Sequence, residues 1–138
     1  MEDFVPFLLA KKLKEKGFKE KCIAYYWEKI NEHTASFVVV DDMPEDGICI
    51  LDFISEHNKS EWSPFIDAPT ISQVLKWLRE KKGWVIVVRL YSTNGWYWFI
   101  QDEKGELKSS YLASCDDCFP TYELAAIAGV EYCLDNLI

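Results

Sequence analysis

The chain has 138 residues, of which 49% are hydrophobic and 15% aromatic, a composition that predicts one globular domain over residues 1–138 and excludes a disordered chain. Its formal net charge of −8 disfavours binding to duplex nucleic acid. No apolar run approaches the roughly 18 residues that cross a bilayer, and the acidic start "MEDFVPFLLA" lacks the basic region of a secretory signal, so we expect a cytoplasmic protein without membrane contact.

The first predicted element is a helix that begins at Asp3 and runs to about residue 16. Asp3 is a favourable N-cap residue, and Gly17 is of the type that commonly follows a helix end. The apolar residues at helical spacing are Phe4, Leu8, Leu9 and Leu13. The other faces of this helix carry Lys11, Lys12, Lys14 and Lys16. We expect these lysines to be solvated, and they form the one candidate basic stripe.

Three strands are predicted next. Residues 22–27 ("CIAYYW") and 36–40 ("SFVVV") are rich in aromatic and β-branched residues, and residues 47–54 ("GICILDFI") predict the third strand. The acidic connection "DDMPEDG" predicts a solvated turn, because its carboxylates lack the spacing of a calcium-binding loop. Residues 55–69 are predicted to form a loop.

A second helix is predicted over "TISQVLKWLREKKG", residues 70–83. Thr70 and Gln73 have the spacing of a capping box, and Gly83 marks the end of the helix. Its expected buried stripe is Ile71, Val74, Leu75 and Leu78.

The following segment predicts a β-hairpin, in which Asn94 and Gly95 form a two-residue turn between "WVIVVRLY" and "WYWFIQ". This turn places Tyr91 opposite Trp98, and it fixes which side chains share a face. The expected core face contains Trp84, Ile86, Val88, Leu90, Tyr97 and Phe99. The expected second face contains Arg89, Tyr91, Trp96 and Trp98, whose composition resembles a binding hot spot. The favoured interpretation is nevertheless that loops or helices cover this face as well. Residues 106–112 predict the next strand.

The chain closes with a predicted helix from about Thr121, its N-cap, to Asn136. Few of its residues are polar, which predicts burial on several sides. The alternative is that part of the helix forms a homodimer contact. Together these elements predict a single-domain α+β protein of order α-βββ-α-βββ-α, with antiparallel sheets packed by helices.

Three stretches resemble a known group of proteins: "FVPFLLAKKLKEKGFKEKCIAYYW", "DAPTISQVLKWLREKKG" and "TYELAAIAGVEYCLDNLI". They are similar to a family of small proteins carried by phages and mobile elements of gut anaerobic bacteria. The resemblance covers nearly half of the chain. It implies an accessory protein of a mobile genetic element, and it implies no activity, cofactor or catalytic residue.

Cys115 and Cys118 form a single CxxC pair in "SCDDCFPTYE". A structural zinc site needs four ligands, and no second pair of cysteines or histidines accompanies this one. Redox use is disfavoured because Asp116 and Asp117 raise the pKa of neighbouring thiols. The pair is therefore interpreted as part of a loop that precedes the last helix.

No catalytic constellation or phosphate-binding loop is recognised, and we expect neither an enzyme nor a cofactor. The favoured hypothesis is a non-enzymatic interaction protein with a protein partner. One alternative is a binder of single-stranded nucleic acid that uses the hairpin aromatics and the lysines of the first helix. A second alternative is a metal- or thiol-dependent protein that uses Cys115 and Cys118.

Overall fold

The computed structural model describes residues 3–28, 35–39, 65–91, 95–111 and 118–138. These residues contain three α-helices, one π-helical segment and two three-stranded antiparallel sheets, which confirms the α+β class. The chain divides into two compact units, one within residues 4–70 and the other formed by residues 71–138 with Asp3. The first unit contains α1 (Phe7–Glu15), β1 (Ala24–Glu28), β2 (Ala35–Val39) and β3 (Phe65–Asp67). The second contains α2 (Ile71–Trp77), the π-helical segment (Leu78–Lys82), β4 (Val85–Tyr91), β5 (Gly95–Gln101), β6 (Leu107–Tyr111) and α3 (Tyr122–Asn136).

The sheet of the first unit has the order β2-β1-β3. Two of its strands were predicted, but β3 lies within the predicted loop 55–69. A run of three residues is too short to show a strand pattern in the sequence. β3 is defined instead by its pairing with the aromatic strand β1, in which Tyr26 lies opposite Ile66. The predicted strand 47–54 lies outside the described residues.

The N-cap of helix α1 lies three residues after Asp3, the predicted N-cap. Pro6 occupies the N-cap position, and a proline disfavours helical backbone at the residue before it, here Val5. The chain before Pro6 instead forms backbone pairs: the amide N–H of Val5 donates to the Pro69 carbonyl at 3.0 Å. The Asp3 carbonyl accepts from the amide of Ile71 at 2.9 Å, which satisfies a donor at the start of α2.

The buried stripe of α1 differs from the predicted one at Leu8, which is 71% exposed, whereas Leu9, Ala10 and Leu13 are buried. The predicted end is confirmed. Gly17 has a φ of 92°, a left-handed conformation that favours glycine and allows the chain to turn back across the helix end.

Helix α2 confirms the second predicted helix, and Ile71, Val74 and Leu78 of its expected stripe are buried. Leu75 is half-buried, and Trp77 is buried instead. Residues Leu78–Lys82 of the predicted helix form a π-helical segment rather than an α-helix. A π-helix brings residues five apart into register, and the Lys82 ammonium lies 5.5 Å from the centre of the Trp77 ring.

The sheet of the second unit has the order β4-β5-β6. Between β5 and β6, the Asp102 carboxylate accepts from the amides of Lys104 and Glu106 at 3.0 and 2.9 Å. Gly105 follows with a φ of 78°. These bonds and the left-handed glycine make a tight turn between β5 and β6.

Helix α3 begins where the sequence predicts, because the Thr121 hydroxyl accepts a hydrogen bond from the Leu124 amide at 3.1 Å. The helix packs against β4 and β5 and also against α2, as expected for burial against the sheet and its neighbours. The buried face consists of Ala125, Ala126, Gly129, Val130, Cys133 and Leu134. Tyr132, which is 37% exposed, borders the buried face, and the opposite face includes Leu124, which is 46% exposed. A homodimer contact through this face remains a prediction.

Candidate interaction surface

The register of the β4–β5 hairpin differs from the predicted one. Tyr91 pairs with Gly95, so residues 92–94 lie between the strands and Gly95 belongs to β5 rather than to a two-residue turn. Arg89 therefore lies opposite Tyr97, and Val88 lies opposite Trp98. The shift by an odd number of residues exchanges the two faces of β5 relative to β4.

This register corrects the predicted surface of Arg89, Tyr91, Trp96 and Trp98. Arg89 and Tyr91 lie on one face of the sheet, but Trp96 and Trp98 lie on the other, with Trp98 fully enclosed. Tyr97 and Phe99, which were expected in the core, share the face of Arg89.

Close packing against Cys118 explains the glycine at position 95. A methyl group at Gly95 would overlap the Cβ atom of Cys118 and lie 3.5 Å from its Cα atom. The segment that follows Cys118 is held there by two backbone hydrogen bonds, of 2.8 and 2.9 Å, between Trp96 and Phe119. The hairpin register is thus accompanied by a contact that is distant in sequence, which the local Asn-Gly pattern does not report.

Helix α3 covers the face of the sheet that carries Trp98. The helix approaches closely at Gly129, where a Cβ atom would lie 2.9 Å from the Ile86 side chain and 3.4 Å from the Trp98 ring. The Trp98 ring also packs on the Tyr132 ring at 5.3 Å between centroids. The tryptophans of β5 therefore stabilise the unit through core and helix contacts, rather than forming the predicted surface.

The opposite face of the sheet carries a connected group of side chains, which we name the aromatic face: Arg89, Tyr91, Tyr97 and Phe99. The Tyr91 and Tyr97 rings meet edge to face at 6.2 Å, and the Tyr97 and Phe99 rings are stacked at 6.1 Å between centroids. The guanidinium carbon of Arg89 lies 5.3 Å from the centre of the Phe99 ring. Arg89 is exposed and the three rings are half-buried, so all four side chains reach solvent.

The aromatic face combines stacking area with a single charge. Among the described residues of β4 and β5 that point to this side, Arg89 carries the one charged side chain. A guanidinium above an aromatic ring is partly ordered by the cation–π attraction, worth about 0.5–1 kcal/mol at an exposed site. The N–H groups of the guanidinium point outward in its own plane, so they can donate to a carboxylate or phosphate.

A sequence signal for Tyr97 and Phe99 exists in hindsight. In a strand, Gln101 lies on the same side as Tyr97 and Phe99, whereas Ile100 lies on the same side as Trp98. Assigning the polar Gln101 to the solvent side orients the whole of β5 correctly. The strong turn signal of Asn94 and Gly95 outweighed this weaker one.

The cysteines that the structure describes are arranged as packing groups. Cys118 lies against Gly95 and is half-buried, whereas Cys115 lies outside the described residues. Burial raises the pKa of the Cys133 thiol to about 12. Burial also raises the pKa of Cys22, with further contributions from the charges of Asp67 and Glu20. Such thiols stay protonated at neutral pH and are poor nucleophiles and metal ligands.

Neither a metal cluster nor a membrane helix is found in the part of the chain that the structure describes. Its histidine, cysteine, aspartate and glutamate side chains form no group of three that could hold a metal ion. Across the same residues, no helix combines the length and the apolar character that membrane crossing requires.

The fold and the site define an α+β protein whose second unit is a three-stranded antiparallel sheet, packed by a helix on one face and bearing aromatic side chains on the other. The chain matches no protein-family model, no curated protein and no solved structure.

Proposed function

We propose that the protein is a non-enzymatic interaction protein that binds a protein partner through the aromatic face. The observation that carries the proposal is the position of the Arg89 guanidinium 5.3 Å above the Phe99 ring, which itself stacks on Tyr97. The resemblance to small proteins of phages and mobile elements supplies the setting, an accessory protein that acts on a component of its bacterial host.

The composition of this face supports binding to protein. Tyrosine and arginine are enriched among the residues that dominate protein–protein affinity. Tyrosine contributes a large contact area with few rotatable bonds, and arginine can donate several hydrogen bonds. Their contacts with one another limit the entropy lost when a partner binds. Arg89 and Tyr97, which lie opposite each other, therefore form the expected centre of the interface.

The test compares adjacent residues that lie on opposite faces of β4. Tagged protein is used to capture partners from a lysate of gut anaerobic bacteria, and the captured proteins are identified by mass spectrometry. The Arg89→Ser, Tyr91→Ser double variant is expected to lose a partner that the parent chain retains. Leu90→Ser is the matched control, because Leu90 is 57% exposed but shares the side of Trp96.

Capture of the same proteins by the parent chain and the Arg89→Ser, Tyr91→Ser variant would contradict the proposal. Loss of the partner in the Leu90→Ser variant would move the interface to the helix side of the sheet. Circular dichroism and thermal unfolding of each variant separate loss of binding from loss of structure.

A single-stranded nucleic acid is the second candidate ligand, and the stacked pair of Tyr97 and Phe99 favours it. Rings on the face of a sheet stack on bases and gain about 1–3 kcal/mol per base. Against this, one arginine in a chain of net charge −8 provides little attraction for phosphates. Retention of a labelled oligo-dT at low salt, and its release as salt rises, is the result that would favour this candidate over a protein partner.

A further inference from the structure

We infer that the partner of the aromatic face is a proline-rich peptide segment that carries a carboxylate. The inference rests on the proposed function and specifies the chemistry of its partner. It combines two properties of the face: a row of aromatic rings, and the positive charge of Arg89 beside that row.

Charge complementarity selects the carboxylate. Arg89 is exposed and is the one charged side chain that β4 and β5 present on this face. Its guanidinium is positioned over Phe99, so a carboxylate of the ligand meets a donor that is already partly ordered. A lysine at the same place in the ligand would be repelled.

The rings select proline. An extended peptide that lies on Tyr97 and Phe99 loses the water bound to its amide N–H groups, and the phenyl ring of Phe99 offers no acceptor in exchange. Proline has no amide N–H, so this cost is absent. A proline-rich segment also adopts the polyproline II conformation before binding, which lowers the entropy lost on association.

The spacing of the rings is consistent with this ligand. The ring centroids are separated by 6.2 Å between Tyr91 and Tyr97 and by 6.1 Å between Tyr97 and Phe99. Two residues of polyproline II extend about 6 Å, at roughly 3.1 Å per residue. Residues two apart in such a segment therefore match the distance between successive rings.

The test is a charge exchange between ligand and protein. Two short blocked peptides of proline, identical except for a central glutamate or a central lysine, are titrated into the full-length protein, and binding is followed by fluorescence anisotropy of a terminal label. The parent chain is expected to bind the glutamate peptide about tenfold more tightly than the lysine peptide. Arg89→Glu is expected to reverse the preference, and Arg89→Gln to abolish it.

Leu90→Glu is the matched control, because it adds a negative charge at the neighbouring exposed position on the other side of the sheet. This variant is expected to keep the preference of the parent chain for the glutamate peptide. A uniform effect of charge on the whole molecule would instead change Leu90→Glu in the same direction as Arg89→Glu. Circular dichroism of the variants verifies that the sheet is intact.

Two outcomes overturn the inference: failure of either peptide to bind the parent chain, or equal affinity of the parent chain for both. If neither peptide binds while the Arg89→Ser, Tyr91→Ser variant still loses a captured partner, the chemistry assigned to the partner is wrong and the proposed function stands. If capture also fails to depend on Arg89 and Tyr91, the proposed function is wrong as well. Binding of oligo-dT in place of the peptides would assign the face to nucleic acid.

Discussion

A methyl group added at Gly95 is expected to destabilise the second unit, because it overlaps the Cβ atom of Cys118. The Cβ atom is attached to the backbone, so no change of side-chain rotamer can remove the overlap. The carbonyl oxygen of Phe119 lies 3.5 Å from the added methyl, which restricts movement of the facing chain. Relief therefore requires a shift of the backbone that pairs Trp96 with Phe119.

The magnitude follows from two opposing effects. Forcing an additional methyl into a packed site costs about 1–3 kcal/mol. Replacing glycine by alanine where the backbone is not left-handed stabilises by about 0.4–1 kcal/mol, through the entropy of the unfolded chain. Gly95 has no left-handed φ, so the second effect applies. The net loss for Gly95→Ala is expected to be about 1–2 kcal/mol.

A double-mutant cycle isolates the contact. Cys118→Gly removes the overlapping Cβ atom, whereas Cys118→Ala retains it. The free energy of unfolding is measured by urea denaturation, followed by circular dichroism. Gly95→Ala is expected to be less damaging by about 1–2 kcal/mol in the Cys118→Gly background than in the parent chain. In the Cys118→Ala background its cost is expected to be unchanged.

Equal rescue of Gly95→Ala by Cys118→Gly and Cys118→Ala would refute this reasoning. An alanine at position 95 that stabilises the parent chain would refute it more simply, because the space occupied by Cys118 would then be open. Either result would contradict the close approach of Cys118 to Gly95.

Three further predictions concern α3. Thr121→Ala is expected to lower the free energy of unfolding by about 1 kcal/mol, because the Leu124 amide loses its acceptor, while Thr121→Ser retains stability in the same urea titration. Gly129→Ala gains roughly 1 kcal/mol of helix propensity but loses about 1–3 kcal/mol through its contact with Ile86, so a net loss of stability is expected. The loss is expected to be larger for Gly129→Val. Equal stability of the parent chain and both variants would contradict the close approach of the helix to the sheet. Burial raises the pKa of the Cys133 thiol from 9.0 to about 12. The thiol therefore loses its proton at lower pH in the unfolded chain than in the folded one. Its contribution to the free energy of unfolding is complete below pH 9 and is lost as the pH rises toward 12. Unfolding measured across that range is expected to show a shallower decline for Cys133→Ala than for the parent chain, and parallel curves would contradict the burial of this thiol.

The local features of the fold were predictable from sequence where the signal is contained within a few residues. Thr121 caps α3 and Gly17 ends α1 as predicted, because each interaction involves backbone groups within five positions. The start of α1 was predicted wrongly. Pro6 indicates the true start, because it disfavours helical backbone at Val5, but the helical spacing of the leucines suggests an earlier one.

The candidate site was predicted in part. The sequence identified the hairpin and placed Arg89 and Tyr91 on one face of it, but it exchanged the tryptophans of β5 with Tyr97 and Phe99. A register depends on contacts between segments that are distant in the chain, and here the relevant contact joins Gly95 to Cys118. β3 escaped prediction for the same reason, since pairing with β1 defines it rather than its own three residues.

The most direct test of the central claim, that partners bind to the aromatic face, is photocrosslinking from adjacent positions on opposite sides of β4. A photoreactive phenylalanine analogue is placed at Tyr91 in one chain and at Leu90 in another, and both are irradiated in the bacterial lysate. The account predicts a discrete protein adduct from position 91 that is absent from position 90. An adduct from position 90 alone, equal adducts from both positions, or no protein adduct from position 91 would contradict it.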